Sequence, residues 1–323
     1  MCLPAGRRGA EPHGFEVVYK VGDDGRIMFE NIIGNEPTLR RLRQAVDNPS
    51  HAYAIVGEAG LGKLAIAKSF AQALQCETNS ACGECLSCRM VKSGNHPDII
   101  YVKATKTKTI GVEDVRTQLI LPMSEKPFRH RYKIFIVDQP PTPQAQNALL
   151  KTIEEPAYFG IFLFLAETTR AFLPTILSRC VTLKLQALTD AEIIQTLSQI
   201  MPNPPSPAIL MVAAGNPGRA KKLVASPDFE NMLNLAKSVA DNVATMSMVE
   251  IFGLHTKFDK WKDNIQTLLD LLYFSCLENV RNHQNISQIS QISQIEAITA
   301  AKKALHYNGN FQMTIETMLL KMR

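Results

Sequence analysis

Two groups of residues have the types and spacing that chemistry requires. The first is Gly57-Glu58-Ala59-Gly60-Leu61-Gly62-Lys63-Leu64. Gly57, Gly60 and Gly62 let backbone N–H groups come close to phosphate oxygens, and Lys63 would reach the outer phosphates of a nucleotide. The position after the lysine calls for Ser or Thr, whose hydroxyl holds magnesium; Leu64 has no oxygen to offer. Farther on, Lys133-Ile134-Phe135-Ile136-Val137-Asp138 reads as an apolar strand ending in an acid. In a nucleotide hydrolase of this design the next residue is Glu, which polarises the attacking water. Gln139 is a neutral amide and cannot act as a general base. Two catalytic groups are therefore missing from two separate motifs. Binding of ATP or ADP stays open because the glycines and Lys63 remain, while Mg2+-dependent hydrolysis is not expected.

The second group is Cys76, Cys82, Cys85 and Cys88, spaced C-x5-C-x2-C-x2-C. In a chain from a reducing compartment this spacing suits one tetrahedral Zn2+ held by four thiolates; disulfides and an iron–sulfur cluster are the alternatives. Four protein ligands leave no open position, so such a zinc is structural. Cys2 and Cys276 read as incidental thiols, and Cys180 as a small buried residue.

Around these residues, short apolar runs alternate with helical patterns. Residues 54–56, Ile99–Val102, Lys133–Val137, 161–165 and 181–185 read as strands, and 62–74 as an amphipathic helix. Strands interleaved with helices predict a parallel sheet covered on both faces. Beyond Leu188 the strand signal disappears. Thr189-Asp190 can cap a helix, residues 201–207 hold four prolines that interrupt any helix, and residues 214–218 form a turn before Arg219. From 229 to 323 the pattern is helical, except that the repeated Ser-Gln-Ile of 286–295 predicts a loop or a frayed helix. The expected divisions are 1–27, a disordered or non-native extension with translation starting naturally at Met28; 28–187, an α/β domain carrying the cysteine insert at 76–88; 188–228, a small helical unit; and 229–323, a second helical unit.

Of the 323 residues 46% are hydrophobic and 20% charged, as in a globular protein. No apolar run approaches the length of a membrane span, and the start of the chain has no apolar core of a secretory signal, so the cytosol is the expected address. A net charge of +5 permits contact with nucleic acid without arguing for it.

His51-Ala52-Tyr53, the phosphate loop, the four-cysteine insert, Asn147-Ala148-Leu149-Leu150-Lys151-Thr152-Ile153-Glu154-Glu155-Pro156 and Leu177-Ser178-Arg179-Cys180 follow one another in the order found in bacterial clamp-loader subunits of the AAA+ class. The resemblance runs from about residue 29 to 323, more strongly over the first domain. It implies a P-loop AAA+ domain with a RecA-like parallel sheet, then a helical lid, then an all-α collar for oligomerisation. Arg179 is similar to the family's arginine finger, which reaches the ATP of an adjacent subunit. Thr168 (or Thr169) lies where a sensor 1 residue would, and Arg219 where a sensor 2 arginine would. Lys106 and Lys108, ahead of an apparent helix start, would be DNA contacts.

The missing catalytic groups resemble the branch of the family that has no ATPase activity of its own within the DNA polymerase III holoenzyme. Its implied partners are gamma/tau and delta subunits, the sliding clamp, and primer-template DNA through the assembly. An active gamma/tau-type ATPase, or a zinc-stabilised scaffold without a finger, are the competing readings. His96 and His130 are expected to be solvated or capping, and Trp261 a packing residue.

Overall fold

The five apolar runs become strands β1 (Ala52–Val56), β2 (Ile99–Val102), β3 (Lys133–Val137), β4 (Gly160–Ala166) and β5 (Val181–Lys184), in a computed structural model. All pairings are parallel, in the order β2-β3-β4-β1-β5. The structure describes residues 29, 32–106, 109–198, 200–201, 203–282 and 288–323. The expected extension at 1–27, the Met28 start and Lys108 lie outside the described residues.

Every residue of β1, β3 and β4 is buried, which is why these strands read as unbroken apolar runs rather than as alternating ones. Ile55, Ile134, Ile136 and Leu163 turn to one face. They meet Leu39 and Leu42 of α1 (Glu36–Ala45) and Ile66, Phe70 and Leu74 of α2 (Lys63–Gln75). Phe135, Phe162 and Phe164 turn to the other face, against Ile110, Leu119, Leu149 and Ile153. After α3 (Leu86–Lys92) and β2, α4 (Val112–Val115) passes through a π turn at Arg116–Ile120 into α5 (Leu121–Met123). Then α6 (Pro143–Glu154), capped by the Thr142 hydroxyl, packs under the sheet, and α7 (Pro174–Leu177) leads into β5.

Past Leu188 the chain is helical, as its sequence pattern requires. Thr189 and Glu192 form a reciprocal capping box at the start of α8 (Asp190–Leu197). It is followed by α9 (Pro207–Ala213), α10 (Pro217–Ala225), α11 (Phe229–Asn242), α12 (Met248–Asp259), α13 (Ile265–Asn282), α14 (Gln288–His306) and α15 (Phe311–Met322). One apolar cluster joins residues from Leu188 to Met322, with Trp261 packed against it.

Of the two forms expected for the Ser-Gln-Ile repeat, a loop or a frayed helix, the structure has helix: from Gln288 onward it opens α14. The three-residue spacing drifts around the helix, so Ile292 is exposed while later isoleucines turn inward. Ile295 packs against the core and Ile298 is fully buried. Among the described residues no helix is long and apolar enough to cross a membrane.

Candidate functional site

Strand β1 delivers the phosphate loop to the C-terminal edge of the sheet, where Gly57 N–H donates to Ala166 O at 3.1 Å. Gly60 (φ +93°) and Gly62 (φ +86°) sit in the left-handed region that glycine alone enters freely. Gly62 then starts α2, accepting from Ile66 N–H at 3.0 Å. Lys63 folds back over the loop, its Nζ donating to Gly57 O at 2.6 Å and Glu58 O at 2.8 Å. Burial pulls its pKa below the usual lysine range, and the charges of Glu167 and Glu58 oppose that shift. Leu64 packs against the core on the α1–α2 face. Asp138 and Gln139 are exposed just past β3, and Thr168 is exposed just past β4. Because β3, β4 and β1 are neighbours, these residues share one edge of the sheet with the loop.

Arg219 stands apart from that group. Its guanidinium donates to Val212 O at 3.3 Å within its own helical unit. The residues before it touch the loop instead: Asn216 Nδ2 donates to Ala59 O at 2.7 Å, and Gly218 N–H donates to Gly60 O at 3.0 Å. Asn216 also caps α10 by accepting from Arg219 N–H at 3.0 Å. One asparagine thus starts a helix and straps it to the phosphate loop.

The four cysteines converge. Cys76 ends α2, Cys85 caps α3 and Cys88 lies inside it, and all four Sγ atoms lie within 4.8 Å of one another. Backbone N–H groups of Cys82, Cys85 and Cys88 donate to the Sγ atoms of Cys76, Cys82 and Cys85, each at 3.4 Å. Burial raises the pKa of Cys76, but hydrogen bonds from Thr78, Cys82 and Ser80 outweigh it and bring the thiol down to about 5. Burial, with the neighbouring Cys76 charge adding to it, pushes Cys88 up to about 12. Four thiolates this close repel one another unless a cation neutralises them, so the donor set fits a thiophilic metal ion.

The insert is anchored from behind. Asp98 N–H donates to His96 Nδ1 at 3.2 Å, which leaves Nε2–H to donate to Ser87 Oγ at 2.9 Å. Asp98 in turn accepts from Phe128 N–H at 2.7 Å and Arg129 N–H at 2.9 Å. Of the two roles expected for His96, solvated or capping, burial rules out the first, while its bond from Asp98 N–H agrees with the second. The pair Ser87–His96 is what ties the cysteine helix to β2.

Arg179 follows α7 and precedes β5, at the N-terminal edge of the sheet. Its Nη2 pairs with Glu154 Oε1 at 2.8 Å, and its Nη1 donates to Thr175 O at 2.9 Å. The side chain remains 37% exposed. Lys106 is exposed in a turn, and its charge helps hold the Asp114 carboxyl below the usual range, after the hydrogen bonds from Thr105 and Gly111. Sequence reasoning missed Asn216, Glu154 and Ser87. Of these, only Asn216 carried a signal, as a helix cap ahead of Pro217.

Residues 34–189 match the profile of the family described as DNA polymerase III, delta subunit. Among curated relatives, the DNA polymerase III subunit tau/gamma of Haemophilus influenzae is 39% identical over 54% of this chain and 26% of that protein. The DNA polymerase III subunit delta' of Pseudomonas aeruginosa is 32% identical over 54% of this chain and 56% of that protein. The chain thus aligns with a quarter to about half of the length of these relatives. Among solved structures, a DNA polymerase III gamma subunit-related protein of Thermotoga maritima is 16% identical, with a TM-score of 0.43, covering 88% of this chain and 98% of that one.

Proposed function

We propose that this chain is a delta-prime-type subunit of a clamp loader of the AAA+ class, a reading supported by the match of residues 34–189 to the DNA polymerase III delta subunit profile and by the tau/gamma and delta' relatives: it hydrolyses no ATP itself and lends Arg179 to the nucleotide of a neighbouring gamma/tau-type subunit. The observation that carries the reading is where Arg179 sits. It lies at the N-terminal edge of the sheet and its own phosphate loop at the C-terminal edge, and β5 alone spans about 13 Å between them. A guanidinium at one edge cannot touch phosphates at the other, so it can serve a nucleotide on another chain.

In phosphoryl transfer, charge spreads over the oxygens of the moving group, and an arginine fork neutralises it; in GTPases this is worth roughly 10³–10⁵ in rate. Arg179 would leave Glu154 to do so. Within its own loop, Leu64 offers no magnesium ligand and Gln139 no base. ATP or ADP held by Lys63 would sit there unhydrolysed. Cys76, Cys82, Cys85 and Cys88 would hold one Zn2+ that cross-links the insert and takes no part in chemistry. Residues 28–187, 188–228 and 229–323 would serve as AAA+ domain, lid and collar. Partners would be gamma/tau and delta subunits, the sliding clamp and primer-template DNA, in the cytoplasm.

The higher identity to the tau/gamma relative favours a second reading, an ATPase active in its own site. Steady-state hydrolysis by the purified chain, alone and assembled with gamma/tau and delta subunits, separates the two. The expected result is no turnover alone and an assembled rate that collapses with Arg179→Ala. Turnover by the chain alone, abolished by Lys63→Ala, would establish the second reading instead.

A further inference from the structure

Strand β5 is an edge of the sheet, and its outward side is only partly covered. Leu185 N–H bonds to Val56 O of β1, so Leu183 and Leu185 face the sheet while Thr182, Lys184 and Gln186 turn their backbone groups outward. Helix α1 meets most of these. The Asn35 amide donates to Gln186 O at 3.1 Å and accepts from Gln186 N–H at 2.7 Å, and Thr38 Oγ1 donates to Lys184 O at 3.3 Å. The backbone N–H groups of Thr182 and Lys184 are left facing outward, without a protein acceptor among the described residues.

Both residues line a cleft of about 480 Å³ between α1 and β5, together with Pro37, Thr38, Arg40 and Arg41. Arg40, Arg41 and Lys184 are exposed, and none forms an ion pair among the described residues. No acid lines the cleft, and the nearby Glu36 is already paired with Arg43. The site therefore offers two guanidinium forks, an ammonium, the Thr182 hydroxyl and outward N–H groups, while the Thr38 hydroxyl is already engaged with Lys184 O.

We infer that this cleft binds phosphate groups, of a polyphosphate or of a nucleic-acid backbone. Guanidinium forks and free N–H donors match phosphate oxygens. Addition of a peptide strand is disfavoured, because α1 already occupies the edge from Lys184 to Gln186. The cleft is separate from the phosphate loop and from Arg179, and the inference does not depend on the proposed finger.

The test uses the full chain with Lys63→Ala, so that the phosphate loop does not contribute. Calorimetry with tripolyphosphate and fluorescence anisotropy with a labelled single-stranded oligothymidylate read the two sources. Adding Arg40→Gln, Arg41→Gln and Lys184→Gln is expected to weaken binding at least about tenfold. For the oligonucleotide the salt dependence should become shallower by a log–log slope of about 2. If the triple variant does not fold, Arg41→Gln and Lys184→Gln singly should each weaken binding about threefold. Loss of tripolyphosphate binding would assign small polyphosphates, and loss of oligonucleotide binding alone would assign a nucleic-acid backbone. If neither probe binds, or if both bind as tightly to the charge-removed variants, the inference is overturned.

Discussion

Gly218 and Gly253 are both glycines of helices, yet they carry opposite expectations. A methyl group on Gly218 would stand 2.7 Å from Gly60 Cα and 2.9 Å from Gly60 O, and backbone atoms cannot swing aside. Gly218→Ala should cost about 1–3 kcal/mol of stability, read from the urea midpoint. A methyl on Gly253, inside α12, would meet nothing within 4 Å, so Gly253→Ala should stabilise by up to about 1 kcal/mol. His96 gives a pH-dependent expectation. Burial holds its folded pKa below the ordinary value of about 6.5. As pH falls through the ordinary value the unfolded chain takes up the proton first, and stability is lost until the lower folded pKa is reached. A His96→Gln variant should lose less stability than the parent between neutral and mildly acid pH. Equal slopes in the two unfolding series would refute the buried neutral imidazole. At this scale the sequence exposed residue types but not pairings. The four cysteines were legible as a cluster and the structure brings them together, whereas Glu154, the last residue of α6, looks in sequence like any exposed acid.

The cysteine insert is the element that a metal ion at its four clustered thiols would organise. Asn79 (φ 55°) and Ala81 (φ 56°) hold left-handed backbone that non-glycine residues rarely adopt. Metal removal by a chelator should therefore release residues 76–92 into fast amide exchange while β1 and β4 stay protected, which mass-resolved hydrogen exchange would read. An insert that keeps its protection without metal would rule out the ion as the element's organiser. Helix α8 supplies a second case: Thr189→Ala removes its capping box and should lower stability by about 1 kcal/mol in thermal unfolding. The strands were readable because burial on both faces leaves runs of Ile, Val and Phe. Helix α1 was not: it is polar on most of its surface, and its role at the sheet edge depends on Asn35 meeting Gln186. The π turn at 116–120 has no residue signature of its own.

Across the whole molecule, the helices from α8 onward share one apolar cluster, with α9 packed directly on α13. Cutting the chain after residue 228 should strip α9 of that support, and circular dichroism should show more helix lost than the deleted residues account for. A loss equal to the deleted helices would mean that α8 to α10 stand alone. The sheet has a different kind of interdependence. Its interior strand β1 is wholly buried, yet its two neighbours, β4 and β5, follow it by more than a hundred residues of chain. At a synthesis rate of 5–20 residues per second, β1 leaves the ribosome on the order of 6–26 s before β5 is complete. For that interval a naked apolar strand must avoid pairing with other nascent chains, so this protein should lean on chaperones during translation far more than its finished surface suggests.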